Sequence, residues 1–188
     1  MKSKIILSLF IVFSVMFSAQ NTDQQNITKS FSAFLNQLKN KQIDQAVEGM
    51  YPKFFTVVPK DQMKMVLNMT YNNPIMKVEI LSSKVNAAEK PELIDGEYFS
   101  LIDYAMRIRF NAETMNDEMR NSIKNMLVQK YGQGNVMYYK NEMAYYINAK
   151  SKAYAISKDK KNWKFLMVEK EMKSNLAKVL PKKILDTL

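Results

Sequence analysis

The sequence predicts an α+β fold in which N-terminal helices pack on a curved antiparallel sheet, a cone-like roll. Three observations lead there. Apolar residues recur at three- and four-residue steps from Ile27 to Tyr71, and after Pro74 the period falls towards two. Helices followed by a run of strands is the order of an α+β domain. Only four Gly and five Pro interrupt 188 residues, so no linker divides the chain.

The first element is an address. Lys2 and Lys4 precede an apolar run from Ile5 to Phe17, and Ser18-Ala19 offers a small-residue exit. That pattern is a secretory signal peptide over 1–19, too short to span a bilayer comfortably, with cleavage expected near Ala19 and a periplasmic or secreted product. Polar residues 20–26 read as a disordered linker, and 27–188 as a single α+β roll domain with a short C-terminal helical tail. No transmembrane helix is expected once the leader is removed.

Within the domain, Ile27, Phe31, Phe34, Leu35 and Leu38 mark a first helix, and Ile43, Val47 and Met50 a shorter second one. Lys53 to Val58 has the β-branched and aromatic composition of a brief strand. Pro59 and Asp61 suit the first turn of a third helix whose apolar face carries Met63, Val66, Leu67, Thr70 and Tyr71. Met76 to Val85 and Glu97 to Phe110 read as strands, separated by a loop with Pro91 and Asp95-Gly96. An extra helix is expected over 114–131, with Met115, Met119, Ile123, Met126 and Leu127 in register and Gly132 as its stop. Val136 to Tyr139, Ala144 to Ala149, Ala153 to Ser157 and Trp163 to Glu169 form a meander of short strands, turning at Lys150-Ser151 and at Asp159 to Asn162. A helix near Ser174 to Leu180 closes the chain.

Composition removes whole classes of chemistry. The chain has no Cys and no His, which excludes disulfides, thiolate nucleophiles, Ser-His-Asp catalysis and nearly every zinc, copper or haem site. No motif calls for a metal or a cofactor. Gly132-Gln133-Gly134 lacks the Lys-Ser/Thr and following helix of a phosphate loop. There are 28 basic residues against 18 acidic, a net +10, and the segment from Lys140 onward holds 12 Lys against five acids. That asymmetry suits an anionic envelope component. The chain has three Arg, none in that segment, which argues against nucleic acid.

Two stretches carry a family likeness: Leu38-Lys39-Asn40-Lys41-Gln42-Ile43-Asp44-Gln45-Ala46, and Asn162-Trp163-Lys164-Phe165-Leu166. With the order of elements, they make Ile27 to Glu169 resemble the nuclear transport factor 2-like, or cystatin-like, α+β roll. Tyr51-Pro52-Lys53-Phe54-Phe55, with Pro59-Lys60-Asp61-Gln62-Met63, is similar to exported bacterial proteins of this size. The resemblance implies a bent sheet wrapped round helices, a concave surface able to hold a small apolar ligand, and homodimers through the exposed sheet face as a frequent state. The expected helix at 114–131 is a departure from that family and would cap or fill the mouth of the cone.

Three sets of candidate residues follow. Asp103, flanked by Leu101 and Ala105, is a weak candidate for a catalytic base, since the resembled superfamily includes an isomerase that sets an Asp base beside a Tyr in an apolar site. The competing reading of Asp103 is a surface ion pair with Arg107 or Arg109. Tyr98, Tyr104, Tyr145, Tyr154 and Trp163 are the aromatics available to an apolar ligand, or to the core. Lys150, Lys152, Lys160, Lys161 and Lys164 are the candidate contacts to an anionic surface, or a solvated strand face. The chain reads as a binding or interaction module rather than an enzyme.

Overall fold

In the computed structural model, which describes residues 22–73, 77–169 and 172–186, an antiparallel sheet carries its N-terminal helices on one face. The expected leader at 1–19 lies outside the described residues. Helix α1 covers residues 22–39, so 22–26, expected to be disordered, are helical. The reason is tertiary: Gln24 Nε2 donates to Ala88 O at 2.7 Å, and Asp23 pairs with Lys160 at 2.9 Å. After Lys41, held at φ +60°, α2 runs Ile43–Gly49 and α3 Lys60–Tyr71. Between them the expected strand is instead a 3₁₀ turn, Pro52–Thr56. Pro52 presets its first φ, the Phe54 N–H donates to Tyr51 O, and the Phe54 ring is wholly buried. Core insertion overrides the β propensity of Phe-Phe-Thr-Val-Val.

The sheet has six strands: β1 Val78–Ala88, β2 Glu92–Ile94, β3 Glu97–Asn111, β4 Val136–Tyr139, β5 Ala144–Ser157 and β6 Lys164–Val168. Their order is β1-β3-β5-β4, with β2 also on β3 and β6 also on β5, and the sheet does not close. Asp95 and Gly96, both at positive φ, form the two-residue turn joining β2 to β3. Two of the expected short strands are one. Lys150 and Ser151, expected to turn, stay in ladder opposite Ala105 and Tyr104, because the 15-residue β3 offers a partner along nearly all of β5. The turn at Asp159 does form. Its carboxylate accepts from the Lys161 and Asn162 backbone N–H groups and from Ser157 Oγ, bonds that hold it well below the usual carboxylate range.

Strand alternation sorts the side chains. Ile102, Tyr104, Ile108 and Phe110 share one face, the inner one. Its near half packs against α1, where the Phe31 ring meets Tyr104 and Phe165, both at 5.0 Å. Its far half packs against α4, Asp117–Tyr131, through Ile123 and Leu127, with Met115 just ahead of the helix in the same cluster. The extra helix thus covers the same face as the N-terminal helices. Met119 and Met126, expected in register on the apolar face, are half exposed beside that contact line, and Val66, expected on the apolar face of α3, is also exposed. On the outer face, Phe99, Tyr154, Ile156 and Leu166 are buried in one cluster with Leu176, Leu180 and Ile184 of the C-terminal segment, which holds α5 Lys173–Leu176 and α6 Lys182–Leu185. Among the described residues, the rest of the outer face, with Lys84, Arg107, Asn148, Lys150 and Lys152, is exposed.

Candidate functional site: the open basic face of the sheet

The open part of the outer face is built by register. Lys84 of β1, Ala105 of β3 and Lys150 of β5 stand in one cross-strand row; Ser82, Arg107 and Asn148 form the next. Lys152 sits opposite Asp103 on the other side. Lys84, Arg107, Lys150 and Lys152 are all exposed. Strand spacing of about 4.8 Å and a rise of about 3.4 Å per residue put their Cα atoms within roughly 15 Å of one another. Arg107 is steered by its neighbour, lying over the Tyr146 ring at 5.3 Å. β1 joins this surface through irregularities between Ile80 and Ser82 and between Val85 and Ala87, which reset which of its residues face outward.

Acids near the face are engaged elsewhere. Arg109 pairs with Glu79 at 3.5 Å and Glu142 at 3.8 Å, and Glu142 also accepts from Tyr146 Oη. Four cations therefore surround one carboxylate, Asp103. Towards β4 the same face turns amphipathic, with Met137 and Tyr139 exposed and the Tyr139 ring 5.0 Å from Tyr146. Cations beside half-exposed aromatic and thioether groups can hold phosphate oxygens while apolar atoms meet a less polar layer.

The expected lysine set divides. Lys150 and Lys152 belong to the open face. Lys160 pairs with Asp23 and covers the Tyr98 ring at 4.8 Å, and Lys164 donates to Glu48 O at 2.7 Å, so both are fixed internally. Lys161 is exposed on the Asp159 turn. The aromatic set divides too. Tyr104 is buried under α1, whereas Tyr154 lies on the opposite face against Phe99. Tyr145 is in the α4 cluster and donates to Arg120 O at 2.8 Å. Trp163 is buried, its Nε1 without a hydrogen-bond partner among the described residues. These five do not line one cavity. Asp103 faces away from α1 and from Tyr104; of its expected ion partners, Arg109 pairs with Glu79 and Glu142, and Arg107 lies over the Tyr146 ring.

One constellation escaped the sequence reading. Glu97, buried at the start of β3, accepts from Tyr51 Oη at 2.7 Å and Lys53 Nζ at 2.8 Å, both on Oε2. Burial raises its pKa, but the Lys53 and Tyr51 hydrogen bonds outweigh that and hold it below the ordinary glutamate value. Burial and the carboxylate together push the Tyr51 phenol up to about 12. A cleft of about 280 Å³ beside them is lined by Ile156, Lys158 and Asn162 as well. The donors come from the turn at Pro52, itself anchored by the Tyr51 N–H on Phe165 O. This is a brace between that turn and the β2–β3 hairpin; its only sequence signal is that Glu97 shares the parity of Phe99 and Leu101.

No family model, curated protein or solved structure matches the chain. Among the described residues no helix is long and apolar enough to cross a membrane, and no group of three or more acidic residues could hold a metal ion.

Proposed function

We propose that this chain is an exported interaction module that adheres to an anionic lipid surface through the open face of its sheet. The observation that carries the reading is the cluster of Lys84, Arg107, Lys150 and Lys152 on an uncovered strand surface whose nearby acids, Glu79 and Glu142, are already paired. Met137, Tyr139 and Tyr146 at its edge favour a headgroup layer over a soluble polyanion, which has no use for apolar contacts. The leader-like start of the sequence supports export. A nuclear transport factor 2-like roll agrees with the order of elements. A small apolar ligand in the concave face is less well supported, because Phe31, Phe34 and Tyr104 fill the near half and α4 packs on the far half. The Asp103 isomerase reading is less well supported, because Tyr104 and Tyr145 face away from it and it stands beside exposed Lys152 rather than in an apolar site.

At about 1 kcal/mol per cation near an anionic bilayer, four cations give roughly 4 kcal/mol, a millimolar interaction that apolar contacts deepen. Co-sedimentation with vesicles of phosphatidylcholine, with and without phosphatidylglycerol, tests this. Binding is expected only with phosphatidylglycerol and is expected to fall steeply with added salt. Reversing two charges, K150E/K152E, is expected to weaken it by at least about 30-fold. Equal binding to neutral vesicles, or an unaffected variant, would sink the proposal.

A further inference from the structure

We infer that β4 is a docking edge for a second copy of this chain. A strand at a sheet edge carries unpaired N–H and C=O groups, and folds blunt such edges by bulges, charges or cover. The other edges here are managed that way or are very short. β1 has two register irregularities, and its carbonyls at Leu81 and Ala88 accept from Lys39 Nζ and Gln24 Nε2 of α1. β6 is bridged in parallel by Met50, and the Tyr51 N–H donates to Phe165 O. β2 has only three residues, and Glu92 is tied to Lys183. β4 is short, at four residues, but among the described residues it has no register irregularity and no side chain bonded to its edge. Among the described residues its one strand partner is β5, and Val136-Met137-Tyr138-Tyr139 carries no charge.

The edge suits a copy of itself. In an antiparallel pair about a two-fold axis, each β4 meets the other reversed, and the main-chain donors and acceptors match by symmetry. Met137 and Tyr139 lie on one strand face and Val136 and Tyr138 on the other, so across the axis thioether meets phenol on the first face and phenol meets phenol on the second. The ends that meet are Gln133–Asn135 of one copy and Lys140–Glu142 of the other: an uncharged turn against one carrying opposite charges, with no like-charge clash. The joined molecule has one continuous sheet, with the two outer faces side by side. The inference stands whether or not that face binds lipid.

Analytical ultracentrifugation of the full chain across a concentration series, up to about 1 mM given the small contact, reads the outcome directly. The expected result is a reversible twofold rise in mass, accompanied by concentration-dependent slowing of amide exchange confined to Val136–Tyr139. The variant M137K/Y139K, changed at exposed positions, is expected to keep the thermal midpoint and lose the dimer. A chain monomeric at every concentration overturns the inference. So does a dimer that survives in the variant, or one that leaves exchange across β4 unchanged.

Discussion

Glu97 shows what a single buried charge costs and what offsets it. A carboxylate taken out of water is destabilising unless paired and hydrogen-bonded. Here Lys53 and Tyr51, 44 and 46 residues earlier in the chain, supply both. Because the folded carboxyl titrates below its ordinary value, its contribution is present above the ordinary glutamate range and is lost as pH falls through the folded value. Glu97→Gln is therefore expected to cost about 1–3 kcal/mol near neutral pH. The gap from the parent should narrow below about pH 4. Urea unfolding at both pH values checks this; an equal gap at each would show that the carboxylate charge is not what holds the turn. Glu97 was not legible in the sequence, because a Glu opening a strand reads as solvent-facing until distant donors are seen to reach it.

At the scale of elements, what was legible followed local pattern. Alternation marked β3 from Glu97 onward, and the apolar register with Gly132 marked α4. What was not legible depended on a partner far away. Lys53 to Val58 has a strand's composition but turns, since Phe54 is inserted into the core; Lys150-Ser151 has a turn's composition but stays extended along β3. Phe54→Ala should therefore cost about 3–5 kcal/mol, a core-sized loss that an exposed strand would not show. The cap of α4 makes a smaller, separable case. Asn116 Oδ1 accepts the Met119 N–H at 2.8 Å, so Asn116→Ala should cost about 1 kcal/mol. Thermal denaturation ranks the two, and a reversed order would contradict the assignment of Phe54 to the main core. The candidate face was half legible in the same sense. Lys150 and Lys152 stand out by alternation, but only the register brings Lys84 and Arg107 beside them.

For the whole molecule, the fold buries the inner face of the sheet and one end of the outer face, and leaves the rest of the outer face to charge. α1 and α4 share the inner face, and the C-terminal segment covers one end of the outer face. A basic, partly aromatic surface is left on the side away from those helices. The central claim is that this surface, not the concave one, meets the partner. The chain contains no Cys, so a single introduced thiol can report from one chosen place. An environment-sensitive dye at Asn148→Cys, on the open face, should shift to the blue with phosphatidylglycerol vesicles at low salt, while the same dye at exposed Gln45→Cys on α2 should not. A shift at Gln45 with none at Asn148 would place the contact on the helical side and contradict the account.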